Sequence, residues 1–321
     1  MKLGRLYRLL IDIGIKNDPR GRKEIDRILQ EEKIRSEELK GPDREFFDPN
    51  RLVNPYADTR LLHGDPAIEV RRVLAGVDIE TPEVLLAHVL NRERGRKIDL
   101  VLSHHPSGFA LARLHDVMRL QTDMLAQLGV TVSVAEQLMD KRISEIERRL
   151  MPINHSRAVD AARTLGLPFL CVHTPADNCV TRCLQGLFDR KKPRQLKDVL
   201  SLLRDIPEYQ SAWRQQNPPR LVSGGENSQC GKIYVDMTGG TEGSKEVYAQ
   251  IASGGVSTIV GMHISEEHLE NAKKANLNVV VAGHIASDVL GLNLLLDEVE
   301  SESRLEFVAV SGFERVRRKT R

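Results

Sequence analysis

A chain of 321 residues, 40% of them hydrophobic, can bury one large core or two modest ones. Its 47 Lys and Arg against 45 Asp and Glu leave a formal net charge of +2, too even a balance for a dedicated nucleic-acid binder, so no nucleic-acid partner is expected. No run approaches the ~20 apolar residues that span a bilayer. Arg5, Arg8 and Asp12 break up the apolar start, unlike a signal peptide. The four cysteines show no disulfide spacing, so a cytoplasmic protein with reduced thiols and no membrane contact is expected.

Along residues 1–60, Leu6, Leu9, Leu10 and Ile13, then Ile25, Ile28 and Leu29, recur at helical spacing. A charged stretch and the turn-rich "FFDPNRLVNPYADTRLLHGDP" follow, so this part reads as a helical extension and linker. Residues 61–321 then alternate. "VRRVLAGVDI" is a strand. "TPEVLLAHVLNRERG" is a helix with Thr81 as N-cap and Pro82 at its first position. "KIDLVLS" is a strand, "ALARLHDVMRLQTDMLAQLG" and "SRAVDAARTLG" are helices, and "PFLCV" is a strand. "QLKDVLSLLRDI" is a helix, and Pro207 to Gly225 is a polar stretch. "KIYVDM", "VSTIVGM" and "NVVVAG" are strands, with the turn "TGGTEGS" after the first and the helix "SEEHLENAKKANL" after the second; "HIASDVLGLNLLLDEVE" is the last helix. This alternation predicts α/β layers with largely parallel strands. No repeat of solenoid length is visible, and "RVRRKTR" (Arg315 to Arg321) reads as a frayed, solvated tail.

In open α/β sheets the loops beyond the carboxyl ends of the strands converge on ligands. Three such ends carry ligand-type residues: "IDLVLS" leads to His104 and His105, "PFLCV" to His173 and Asp177, and "NVVVAG" to His284 and Asp288. His284 and Asp288, four apart, share one helix face and can reach a single cation. Adjacent His104 and His105 can each reach a different one, and a carboxylate such as Asp177 or Asp288 can bridge two. Each motif also has an ordinary reading: a hydrogen-bonded or surface histidine pair, a turn at "HTPAD", a first-turn acid at Ser287 or Asp288. Their conjunction at three strand ends favours a metal site. Imidazole with carboxylate suits Zn, Mn, Fe, Co or Ni without choosing among them.

These residues resemble a known family. "VLAGVDIETPEVLLAHVL" with "DLVLSHHP", then "CVHTPAD", "MTGGTEGS", and "GMHISEEHLENAKKANLNVVVAGHIASD" match, in order, the motifs of the Nif-three-like proteins, also called GTP cyclohydrolase I type 2. The resemblance runs from about residue 61 to 300. It implies a two-lobed α/β subunit with lobes at about 61–190 and 221–321, a helical connection at 191–220, and a site of two divalent metal ions between the lobes. It also implies a homo-oligomer, commonly a hexamer. The family's ligands map onto His104, His105, Asp177, His284 and Asp288, with Asp177 and Asp288 bridging. Asp288 stands where the family usually has glutamate, one methylene longer, which bears on the second metal.

Around this set, His173 reads as a ligand-orienting residue or an ordinary strand-end histidine, and His155 as a helix-start residue within reach of the cavity or a surface one. Both are candidate proton relays. His268 reads as solvent-facing, His88 and His115 as structural, and His63 and His263 have no assigned part. Cys179 and Cys183 read as buried thiols, and "TGGTEGS" as an anion cradle or a plain turn. Two cations sharing carboxylates lower the pKa of water from 15.7 toward about 7. The function expected is therefore a metal-dependent hydrolase that uses a metal-bound hydroxide on a small-molecule substrate. GTP cyclohydrolase-type ring opening rests on the family name alone. The alternative is a non-catalytic metal-binding assembly or regulatory interaction module.

Overall fold

The computed structural model describes residues 1–93 and 97–318. Four strands open the first sheet: β1 (Arg60–His63), β2 (Arg72–Gly76), β3 (Leu100–Ser103) and β4 (Phe169–Cys171). A second sheet holds β5 (Arg220–Ser223), β6 (Lys232–Asp236), β7 (Val256–Gly261) and β8 (Asn278–Val281). The last strand, β9 (Glu306–Val310), returns to the first sheet. The orders are β1-β4-β3-β2-β9 and β5-β8-β7-β6. Every pairing is parallel except β1 with β4 and β5 with β8. The α/β class with largely parallel strands is thus what the molecule has.

The two sheets follow one plan. Each has an antiparallel edge strand with a register slip, parallel strands beside it (four in the first sheet, three in the second), and a long helix leaving the strand next to that edge. Arg60 pairs with Cys171 and Arg220 with Val281, so those two strand ends are equivalent positions. The helices that leave them are Thr174–Lys191 and His284–Glu302. This duplication is not a solenoid, and the crossovers differ enough that no repeat shows in the sequence.

Alternation along the strands sends side chains to opposite layers. Val73, Ala75, Leu100 and Leu102 pack with helices Leu3–Asn17 and His284–Glu302. Leu74 and Val101 pack with helices Thr81–Glu93 and Arg157–Thr164 on the other face. The second sheet does the same: Val279 meets helices Arg119–Gln127 and Val132–Leu150, and Val280 meets Thr174–Lys191 and Leu196–Arg204. Both faces of these parallel strands are covered, which is why they read as near-continuous apolar runs.

Packing crosses the boundaries expected from chain order in three places. The helix Leu3–Asn17 is no appendage, because Leu3, Leu6 and Leu10 are buried in the first core. Helix Val132–Leu150, from the first half of the chain, covers the second sheet with Ala135, Met139, Ile143 and Ile146. β9 brings the C-terminal part back beside β2.

Some local readings change as well. The long helix expected to end at Gly129 is three short ones, Gly108–Ala112, Leu114–Val117 and Arg119–Gln127, which lets Leu114 and Val117 pack onto Gly240. The stretch Pro207 to Gly225 contains a helix, Pro207–Arg214, and β5; its buried Tyr209 hydroxyl meets Ser287 Oγ at 2.9 Å. The helix "TPEVLLAHVLNRERG" is seen as Thr81–Glu93, and its expected last residues, Arg94 and Gly95, lie outside the described residues. The basic tail is not frayed as far as Arg318. Arg315 reaches Asp297 at 2.5 Å and Glu300 at 2.6 Å, and Arg318 reaches Glu208 at 2.6 Å. Residues 319–321 of that tail lie outside the described residues.

Candidate metal centre

The strand ends bring the six motif residues together. At the end of β3, the His104 amide donates to the Gly76 carbonyl at 3.0 Å and the His105 amide to that of Val77 at 2.9 Å. Those bonds fix the strand end that carries the two rings, His104 fully buried and His105 about a quarter exposed (26%). The segment "HTPAD" starts the helix Thr174–Lys191, with Pro175 in its first turn, rather than forming a free-standing turn. His284 starts the second long helix, which places it one turn from Asp288, as its spacing requires. The two helices touch where the Ala176 carbonyl lies only 2.4 Å from where a Cβ on Gly291 would sit, so both helix starts reach the same place.

His104 Nε2 lies 3.5 Å from Asp177 Oδ1 and 3.6 Å from Asp288 Oδ1. Asp288 Oδ2 lies 3.4 Å from His105 Nε2 and 3.5 Å from His284 Nε2. His173 Nε2 lies 3.7 Å from Asp177 Oδ2. These separations are long for hydrogen bonds, which cluster at about 2.7–3.2 Å. They fit two donors around one ion instead: ligand atoms about 2.1 Å from a cation at a tetrahedral angle stand about 3.4 Å apart. Three groups of possible ligand atoms each lie within 4.8 Å of one another, namely His104, Asp177 and Asp288; His105, His284 and Asp288; and His104, His105 and His173. Among the described residues, buried His104 Nε2, Asp177 Oδ1 and both Asp288 oxygens have no hydrogen-bond partner. Such groups are strongly unfavourable unless something else, such as a cation, satisfies them.

The outer ring atoms are tied down. His104 Nδ1 lies 3.1 Å from the Val172 carbonyl, His105 Nδ1 2.7 Å from Asp78 Oδ1, and His173 Nδ1 2.8 Å from Asp58 Oδ2. Each partner accepts, so Nδ1 carries a proton and Nε2 is the nitrogen turned toward the cluster, the arrangement metal-binding imidazoles use once Nε2 is deprotonated. Burial pushes the Asp177 carboxyl well above the usual range. Burial acts the same way on Asp288, but His104 and His105 outweigh it and hold that carboxyl far below its usual value. Burial opposes charge on His105, yet the Asp288 and Asp78 carboxylates lift its imidazolium to about 9. Burial lowers His284.

Sequence reasoning missed Asp58 and Asp78. Asp78 follows β2, so the rule that singled out the other strand ends would have found it. Asp58 lies in the irregular "NPYADTR", where no periodicity marks it. His155 stands apart from the cluster. Its Nδ1 meets the Ile153 carbonyl at 3.3 Å, and it is the backbone carbonyl of His155 that turns inward, to the Gly108 amide at 2.8 Å. His268, expected in solvent, is buried with Nδ1 2.7 Å from Ser265 Oγ and Nε2 3.1 Å from the Gly243 carbonyl. His263 stacks on His284, with ring centroids 4.9 Å apart. The turn "TGGTEGS" is held by Gln121, whose amide donates to the carbonyls of Gly239 at 2.7 Å and Thr241 at 2.6 Å. Cys179 is buried, Cys183 partly so, and all four thiols are free.

No helix is long and apolar enough to cross a membrane among the described residues. No protein-family model and no curated protein matches the chain. Solved structures do. A NIF3 superfamily protein from Sphaerobacter thermophilus superposes with a TM-score of 0.70 at 24% identity, over 95% of this chain and 97% of that one. HcgD from Methanocaldococcus jannaschii, in its reduced form, superposes with a TM-score of 0.51 at 14% identity, over 83% of this chain and 94% of that one. Likeness at these identities speaks for architecture, and by it the chain has the fold of the NIF3 superfamily, the one its strand-end motifs resemble.

Proposed function

We propose that this cluster holds two divalent cations and that the chain is a metal-dependent hydrolase acting on a small-molecule substrate. In this reading His104, Asp177 and Asp288 Oδ1 serve one cation, and His105, His284 and Asp288 Oδ2 the other. The observation that carries it is the set of buried, unpartnered donor atoms on His104, Asp177 and Asp288. Aspartate in place of glutamate is no obstacle, because its two oxygens already lie near different histidines. Bound cations there would supply Lewis acidity and a water nucleophile near neutral pH. The chain's own part is to orient the imidazoles through Asp58, Asp78 and the Val172 carbonyl, and to exclude bulk water by burial. His284, 43% exposed, leaves the open side by which a substrate would enter. His173, expected as a ligand-orienting residue or a proton relay, has its Nε2 3.7 Å from Asp177 Oδ2.

The test is element analysis of protein purified without added metal or chelator, followed by a screen against phosphate esters, nucleotides including GTP, and cyclic amides. Close to two cations per chain, with turnover lost in both His104→Ala and His284→Ala, supports the reading. Full occupancy without turnover across the panel would favour a binding module. The four free thiols support a cytoplasmic setting. The same reading takes the chain as a homo-oligomer, for which light scattering would show whether the copy number is six.

A further inference from the structure

We propose that Asp58 is a positioning residue that makes His173 an additional ligand of the cation nearest Asp177. This inference rests on the cation-binding reading above, and it adds a donor that the strand-end motifs do not supply. Asp58 comes from the irregular segment ahead of β1 and is completely buried. It accepts from His173 Nδ1 at 2.8 Å and from Thr174 Oγ1 at 2.6 Å, both through Oδ2. The His173 amide is held as well, donating to Thr59 Oγ1 at 3.1 Å. The ring therefore has one orientation and one tautomer, with its Nε2 lone pair turned inward.

Three observations make that lone pair a ligand. A ring nitrogen of His173 lies within 4.8 Å of those of His104 and His105. The His173 Nε2 to Asp177 Oδ2 separation, 3.7 Å, is close to the spacings of the other donor pairs and too long for a hydrogen bond. The residue is only 6% exposed, so little solvent reaches the ring. Burial opposes charge on Asp58, yet the His173 bond, then the Thr174 bond, holds its carboxyl below the usual range, which keeps an ionised acceptor behind the ring. A buried carboxylate behind a ligating imidazole fixes its orientation and raises its basicity, and losing one commonly weakens metal binding 10–100-fold.

The experiment loads apo protein with Co(II) and reads affinity by chelator competition, together with the visible spectrum and the imidazole count from X-ray absorption. Asp58→Asn and His173→Gln should each bind one cobalt 10–100-fold more weakly. Each should show fewer imidazoles per cobalt, and the double variant should lose no more than His173→Gln alone, because Asp58 acts through that ring. His104→Ala separates the two ideas. If it abolishes binding while Asp58→Asn and His173→Gln keep wild-type affinity and spectrum, the metal centre stands and this inference falls. If wild-type protein takes up no cobalt, both fall. Should Asp58→Asn fail to fold, His173→Gln decides alone, and wild-type cobalt binding by it overturns the proposal.

Discussion

Asp288 faces three histidines of the cluster. One oxygen lies near His104, the other near His105 and His284. Asp288→Ala should therefore remove both cations, whereas His284→Ala should remove one, measured as metal per chain after gel filtration. Equal losses in the two variants would rule out a bridging role for Asp288. Proton competition belongs to the same scale. Ligands bind metal deprotonated, but burial raises Asp177 and the carboxylates lift His105 to about 9. His105 therefore holds a proton near neutrality that a cation must displace. Affinity should climb as pH rises toward about 9, and calorimetry in buffers of different ionisation enthalpy should register proton release. Affinity that is flat across that range would argue against ligation by His105.

At the scale of elements, the site depends on how closely the helices Thr174–Lys191 and His284–Glu302 approach. A Cβ on Gly291 would meet the Ala176 carbonyl at 2.4 Å, a backbone atom that cannot swing aside. Gly291→Ala should destabilise the fold by about 1–3 kcal/mol in urea unfolding, as overpacking does, and should weaken metal binding by separating Asp177 from Asp288. A variant with normal stability and metal content would show that this contact is not limiting. The C-terminal tail is a second fixed element. Burial opposes charge on Glu300, but bonds from Arg317 and Arg315 bring its carboxyl below the usual range. A lowered pKa means the stabilisation is complete above the unfolded-state value, about 4.3, and fades as pH falls below it. Arg315→Ala should cost up to about 3 kcal/mol at pH 7, since it strips a largely buried pair of its cation. The deficit should shrink at pH 3; a constant deficit would mean that packing, not charge, is lost.

At these two scales the legible parts of the sequence are those with local causes. The apolar runs of β2, β3, β4, β7 and β8 announce themselves, as does the i, i+4 relation of His284 and Asp288. Helix Val132–Leu150 went unread in the sequence despite its stripe of Ala135, Met139, Ile143 and Ile146, and nothing local says that it crosses to the second sheet. Asp58 has no local signal, because its meaning lies in a histidine 115 positions away.

Across the whole molecule, two sheets share one plan, and the helices that leave β4 and β8 both start at the same cluster. Chain order by itself determined the α/β class, the strand ends and the residue types that gather there, because periodicity, turn residues and side-chain chemistry are properties of short segments. Tertiary structure alone decided the rest. It folded the N-terminal helix into the core, tied down Arg315 and Arg318, left His155 outside the cluster, and set Asp58 and Asp78 behind the imidazoles. Those outcomes depend on burial and on contacts between distant segments, which no short stretch of sequence contains.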